Sequence, residues 1–483
     1  MKFYVTSRSF DLSLIKKNAP CIVLITNNWN DYTYETLYKA VYFDKEGQDI
    51  DLGEVKILHK TEKYSRDIIP REFEQLSNEY CSLGQSLSYY KAIKKLDVKN
   101  VEQILLALND VTINTHCYNE FKTHQGFNDS LLRFSEAEKA LIEGPLLFLK
   151  EDRVNRNLEK VFKFVFSYKL PLATNAHTIS FDFIKETALP NRINVLIGKN
   201  GTGKTQILAK LAMLLSGYEK GDKSNFTPAR PSFDKVIAIS YSVFDEFERP
   251  RNDDRTFSYK YCGIRDNENK ILSQQDMKIK FKESLKEIRE AGLEEKWRSI
   301  LNEIIEPEHR NILETLVEDT EGVQLSSGQN LIITTITEVI ANITPESILL
   351  FDEPETHLHP NAISNLMRML NLLLEEFNSY AIISTHSPII LQEIPAKYVN
   401  VFERNNYTPS VRNLHVECFG DNLTNITNEV FEVSNVESNY KNWFDNIVKT
   451  LEYEQILELF TNPLSYNAMT YLNIASKKKD DIS

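Results

Sequence analysis

A chain of 483 residues with an apolar fraction of 42% is long enough for two or three domains with substantial cores. Its five cysteines (Cys21, Cys81, Cys117, Cys262, Cys418) lie far apart without a C-x-x-C pair, which excludes a disulfide scaffold or cysteine zinc site and points to the reducing cytoplasm. A net charge of −13 excludes a surface that coats nucleic acid indiscriminately, and neither an export leader nor the roughly 18 apolar residues of a membrane span is expected.

Residues 1–155 read as an α+β accessory domain. Cys21 to Thr26, Tyr34 to Phe43 and Glu54 to Leu58 have strand character, the first two joined by the turn-rich Asn27-Asn28-Trp29-Asn30-Asp31. Phe73, Leu76, Tyr80, Leu83, Leu87 and Tyr90 recur at spacings of three and four, which predicts one amphipathic helix with an aromatic core stripe. Further helices are expected over Val101 to Asn109 and Ser130 to Phe148, the latter capped within Asn128-Asp129-Ser130.

Val161 to Tyr168 and Thr178 to Phe183 read as the leading antiparallel strands of the next domain's sheet. The apolar strand Val195-Leu196-Ile197 then runs into Gly198-x-x-x-x-Gly203-Lys204-Thr205, followed by a helical run with Ile207, Leu208, Leu211, Leu214 and Leu215. This is a P-loop in its expected context. Its backbone N–H groups and the helix N-terminus suit phosphate, so Gly198, Lys199, Asn200, Gly201, Thr202, Gly203, Lys204 and Thr205 form the predicted ATP-binding set. Lys204 is expected to reach the β- and γ-phosphates and Thr205 to ligate Mg²⁺.

Val236 to Ile239, Ile348 to Phe351, Ala381 to Ser384 and Val399 to Phe402 are mostly apolar runs without alternation, which predicts strands buried on both faces of a largely parallel sheet. Residues 246–324 form an insertion whose 278–318 stretch is rich in Glu, Lys and Leu and reads as helices with solvated faces. Even as one helix that stretch spans only ~60 Å, which excludes a long coiled coil and leaves a compact helical lobe. Leu325-Ser326-Ser327-Gly328-Gln329 opens a helix carrying Leu331, Ile332, Ile336 and Ile340. The strand Ile348 to Phe351 ends in Asp352-Glu353, placing Asp352 to help hold Mg²⁺ and Glu353 to polarise the water attacking the γ-phosphate. The strand Ala381-Ile382-Ile383-Ser384-Thr385 delivers His386.

These four motifs in this order resemble an ABC-type ATPase over roughly residues 155 to 405. The resemblance implies an α/β fold: a mostly parallel P-loop sheet flanked by helices over 156–405, with the helical insertion and the N-terminal α+β domain. It also implies a head-to-tail dimer in which Ser326, Gly328 and Gln329 of one copy cap the γ-phosphate held by the other copy's Lys204, with His386 a further catalytic candidate. Asp352-Glu353-Pro354-Glu355-x-His357-x-His359-Pro360 is similar to the RecF/SMC and OLD-like branch rather than to transporters. His357 and His359 offer two metal ligands without visible partners, so a place in the loop near the dimer interface is the preferred reading. Ser327 replaces the usual glycine of the signature, and Tyr241-Ser242-Val243-Phe244-Asp245 stands where a glutamine loop is expected.

Residues 406–483 are expected to form a C-terminal extension with helices over Glu432 to Asp445 and Lys449 to Phe460, ending in a solvated tail at Lys477-Lys478-Lys479. No carboxylate cluster or His-Asn-His constellation marks a nuclease there. The chain most resembles the ATPase subunit of Septu and retron-associated anti-phage systems, with Asn27-Asn28-Trp29-Asn30-Asp31 and Ser130-Leu131-Leu132-Arg133-Phe134-Ser135-Glu136-Ala137 as the closer points of likeness. That resemblance implies regulation of a separate HNH nuclease, with DNA or retron RNA/DNA as a further partner. The alternative is a RecF/SMC-like DNA-repair or DNA-structure sensor acting on nucleic acid itself. A transporter motor fits the insertion and the His-x-His-Pro segment poorly.

Overall fold

The computed structural model describes residues 1–7, 13–98, 100–149, 160–185, 188–242, 245–249, 258–266, 268–305, 327–356, 358–431 and 439–480. Residues 1–420 form one compact unit and 421–483 a second.

The centre of the first unit is a seven-stranded sheet in the order Tyr259–Gly263, Val236–Ser240, Ile348–Asp352, Tyr380–Thr385, Ile193–Gly198, Val399–Asn405, Thr408–Asn413. All neighbours are parallel except the last pair. The expected apolar runs are therefore buried central strands. The sheet continues past residue 405 because the exposed turn at Asn406 returns the chain as an antiparallel edge, where alternating polar residues can face water. The helix Lys204–Ser216 buries Ile207, Leu208, Leu211 and Leu215 against Leu196, Ala238, Leu350 and Ile382.

Two expectations for this region change. Lys163–Tyr168 and His177–Asp182 pair with each other and with Phe226–Thr227 in a separate three-stranded sheet, its phenylalanines packed on the P-loop helix side of the core. The insertion is not wholly helical either, since Tyr259–Gly263 joins the central sheet beside Val236–Ser240. Its helices Gln274–Glu290 and Glu294–Leu301 bury Phe281, Leu285, Ile288, Trp297 and Ile300, and the Trp297 indole donates to Thr337 Oγ1 at 2.9 Å on the helix Ser327–Asn342. That helix also carries the buried Glu338, ion-paired with Lys280 (2.8 Å) and Lys260 (3.5 Å) of the insertion.

The N-terminal portion is a six-stranded sheet ordered Glu72–Phe73, Lys2–Thr6, Cys21–Thr26, Leu37–Phe43, Asp49–His59, Tyr80–Gly84. The expected helix through Phe73 to Tyr90 is thus two strands followed by a helix over Leu87–Lys94 only. Every residue of Tyr80–Gly84 is buried, so the strand lacks the alternation that would distinguish it from a helix stripe. The helix expected from Ser130 starts at Ser135, and Asn128-Asp129-Ser130 lies in a preceding π-helical turn. Ser130 is displaced from capping by burial: its hydroxyl donates to Asp31 Oδ2 at 2.9 Å. The expected boundary at 155 lies outside the described residues.

The second unit is helical, with Leu423–Phe431, Asn439–Ile447, Tyr453–Glu458 and Tyr466–Asp480 around a core of Phe444, Val448, Ile456, Leu472 and Ala475. The first expected helix runs two residues further, to Ile447, the second is shorter at both ends, spanning Tyr453–Glu458, and Lys477-Lys478-Lys479 continues the last helix instead of fraying.

Candidate active site

Sheet register assembles the predicted residues. Asp352 stands opposite Ser240 on one side and Ser384 on the other, Ser384 stands opposite Leu196, and Gly198 stands opposite Phe402. The strand ends carrying the P-loop, the acidic pair and His386 therefore share the carboxyl edge of the sheet, where ligands of open α/β folds bind.

The loop itself is held by close backbone approaches. A Cβ at Gly198 would collide with the carbonyl oxygen of Phe402. Gly201 and Gly203 have φ of 77° and 94°, the left-handed region that glycine tolerates. The Thr202 hydroxyl donates to the Lys199 carbonyl (2.9 Å), and Arg404 donates to the Gly201 carbonyl (3.1 Å). His177, stacked on Phe402, lies 3.3 Å from the Thr202 carbonyl. Asn200 is exposed on the loop's outer surface.

Lys204 is buried at the start of its helix, its ammonium donating to the carbonyls of Gly198 (3.0 Å) and Lys199 (3.3 Å) and lying 3.0 Å from His386 Nε2. Burial lowers its pKa to about 8, against the opposing pull of Glu353, Asp352 and Glu355. Thr205 Oγ1 donates to Asp352 Oδ1 at 3.2 Å, and the same carboxyl oxygen accepts from the buried Ser384 hydroxyl. Burial raises Asp352 to about 6, although its hydrogen bond from Ser384 opposes the shift.

Glu353 adopts φ of 46°, a left-handed conformation for a residue with a side chain, and its N–H is tied to the Ser384 carbonyl (2.9 Å). Such strain persists only where the surroundings fix it. The His386 Nε2 sits 3.1 Å from Glu353 Oε1, and that hydrogen bond holds the Glu353 carboxyl below the ordinary range. Glu353, His386 and Lys204 thus meet around one imidazole nitrogen.

Two residues given no role by the sequence reading join them. Ser384 aligns Asp352, and Glu355 Oε1 accepts from the Thr385 hydroxyl (2.5 Å) and the His386 N–H (2.8 Å). The available signal was positional: both lie within two residues of a predicted site residue. Gly328 and Gln329 stand in the first turn of the helix Ser327–Asn342, buried and half-buried. Ser326 and His357 lie outside the described residues. His359 caps the following helix through Asn361 N–H (3.4 Å), and among the described residues no group of three or more His, Cys, Asp or Glu is placed to hold a metal. Tyr241, at the expected glutamine position, is buried with its ring against Phe351 and belongs to the core.

The residues fit Mg²⁺ and a triphosphate: a loop in which a Cβ would collide at Gly198 and positive φ favours glycine at Gly201 and Gly203, a buried lysine held by backbone carbonyls, and the hard oxygens of Thr205 and Asp352 adjacent to each other. The architecture is a P-loop ATPase fold. A family model described as an AAA domain, putative AbiEii toxin, Type IV TA system matches residues 240–392, which includes the signature helix, the acidic pair and His386. Over 529 aligned positions the chain is 27% identical to protein ea59 of Escherichia phage lambda, covering 100% of this chain and 99% of that protein. Among solved structures it is similar to a chain of the ribosome-bound archaeal Pelota and ABCE1 assembly, at 16% identity and a TM-score of 0.31, over 54% of this chain and 35% of that one. It is also similar to the SmcHead bound to the C-winged helix domain of ScpA, at 13% identity and a TM-score of 0.29, over 53% and 98% of the respective chains. No helix among the described residues is long and apolar enough to cross a membrane.

Proposed function

We propose that the chain binds and hydrolyses ATP with Mg²⁺ and, through ATP-dependent head-to-tail dimerisation, regulates a separate nuclease of HNH type in a cytoplasmic anti-phage defence complex. The observation that carries the ATPase reading is the convergence of Lys204 and Glu353 on His386 Nε2, at 3.0 and 3.1 Å, beside the Thr205–Asp352 pair. Lys204 and the loop N–H groups bind the triphosphate, Thr205 and Asp352 hold the metal, and Glu353 takes a proton from the attacking water at a carboxylate that His386 keeps ionised. Mg²⁺, when bound, neutralises phosphate charge. Ser326, Gly328 and Gln329 act on the other copy's nucleotide.

Regulation of a partner is supported by the sequence resemblance. The reading of a RecF/SMC-like sensor that acts on nucleic acid directly rests on the Asp352-to-Pro360 motif alone. The purified chain should hydrolyse MgATP, leave DNA and RNA intact, and co-purify with a nuclease encoded beside it. Metal-dependent cutting by the homogeneous chain that persists in Lys204→Ala would overturn this function.

A further inference from the structure

Glu355 lies two residues beyond the proposed general base and contacts neither the P-loop nor Thr205 by hydrogen bond. Its oxygen Oε1 instead gathers the end of the neighbouring strand, accepting from the His386 N–H at 2.8 Å and from the Thr385 hydroxyl at 2.5 Å. Thr385 Oγ1 in turn accepts the Ser387 N–H at 2.9 Å. Three consecutive residues around His386 therefore hang on one carboxylate oxygen. The other oxygen, Oε2, is buried and has no hydrogen-bond partner among the described residues. Glu355 is anchored in its turn, since its carbonyl accepts the Leu358 N–H at 3.0 Å and the Glu353 carbonyl accepts the Thr356 N–H at 3.1 Å. The turn that carries Glu353 and the loop that carries His386 are thereby fastened to each other independently of the imidazole.

We propose that Glu355 is a positioning residue of the ATPase site, fixing the His386 backbone so that its imidazole stays between Lys204 and Glu353. This rests on the function proposed above. A buried acceptor with two donors is costly to remove, because both donors are left unpaired, and a displacement of the imidazole by about 1 Å is enough to cost on the order of 10²-fold in rate. The function requires an acceptor atom at Oε1 rather than a negative charge, which separates the conservative variant from the truncating one.

The test compares Glu355→Gln, Glu355→Ala, His386→Ala and the double variant Glu355→Ala/His386→Ala in the full chain. Glu355→Ala should lower kcat roughly 10- to 100-fold with the calorimetric Kd for ATP unchanged. Glu355→Gln, which keeps a carbonyl acceptor, should recover most of that loss. The double variant should be no slower than His386→Ala, because the two residues act as one unit. Multiplicative losses, or equal defects in Glu355→Gln and Glu355→Ala, would overturn the proposal. A second readout does not need turnover: the His386 imidazole resonances, assigned by their disappearance in His386→Ala, should move in Glu355→Ala and stay near the wild-type positions in Glu355→Gln. If the wild type fails to hydrolyse ATP, the function proposed above fails, and these resonances still decide the role of Glu355; unmoved resonances in Glu355→Ala sink it.

Discussion

Arg133, in the N-terminal portion, donates from Nε to the carbonyl oxygen of Gly217, the left-handed residue that ends the P-loop helix, at 3.3 Å. Its NH2 reaches the Tyr218 carbonyl at 3.2 Å, while NH1 pairs with the fully buried Asp31 at 3.0 Å. Asp31 also pairs with the buried Lys56 at 2.7 Å, a lysine whose pKa burial lowers against the attraction of Asp31. A cation at carbonyls left over by a helix C-terminus is favourable on both hydrogen-bond and dipole grounds.

Replacing Arg133 by alanine takes the donor from those carbonyls and leaves Asp31 Oδ1 with the Trp29 indole N–H (2.7 Å) as its remaining partner, in a largely buried setting. The expected loss of stability is about 3 kcal/mol, measured as the shift of the urea midpoint. Arg133→Lys should recover little of it, because a single ammonium cannot span the Asp31 carboxylate and two carbonyls as the planar guanidinium does. An unchanged midpoint in Arg133→Ala would show that the network contributes nothing net.

Lys204→Ala removes the one ammonium buried within the loop. Calorimetry should register a loss of ATP affinity of roughly 100-fold or more, in line with two charge-assisted contacts to phosphate. Normal titration by this variant would displace the nucleotide from the P-loop.

Glu353→Gln retains the size of the side chain but not its basicity. Nucleotide and metal should remain bound while turnover falls by roughly 10²-fold, as seen in single-turnover hydrolysis. A rate equal to wild type would transfer proton abstraction to another group.

The Asp352 carboxyl, raised to about 6 from 3.8, makes the folded state bind a proton more tightly than the unfolded chain. Its contribution is fully present below about pH 4 and is lost as pH rises through 6, so the ionised form is a liability in the absence of metal. In EDTA, Asp352→Asn should therefore be more stable than wild type at pH 7, and the gap should close between pH 6 and 4. Thermal melts across that range check it; a gap independent of pH would assign the difference to packing.

Paired Ser326→Arg and Lys204→Ala chains test the composite site. Each alone should be inactive, and mixed dimers should regain one working site. Heterodimers without any recovery would count against the head-to-tail arrangement.

The P-loop and the acidic pair are legible in sequence because their chemistry needs neighbouring residues in a fixed order after an apolar strand. The parallel sheet follows from runs such as Ile348 to Phe351, too apolar for an exposed face. Tyr80 to Gly84 has the spacing of a helix stripe for the same reason: a strand covered on both sides has no period of two. Edge strands such as Tyr259–Gly263 and Thr408–Asn413 carry mixed patterns, and only pairing identifies them. The meeting of Asp31 with Ser130 and Arg133 joins residues about a hundred positions apart, which local periodicity does not encode. Glu355 was visible in its motif, yet its role depends on two donors from another strand.

The helix Ser135–Phe148 reaches further into the ATPase than Arg133 does. Lys139 pairs with Asp234 at 3.1 Å and Glu346 at 3.3 Å and donates to the Pro345 carbonyl, while Lys160 joins Glu143 to Glu346. Glu346 and Pro345 belong to the turn that feeds the strand of Asp352. A gene fragment opening near codon 160 would therefore encode a chain with raw, charged seams at the ends of two of its candidate-site elements, and expression libraries should recover soluble clones that stop near Gly420 far more often than clones that start near codon 160.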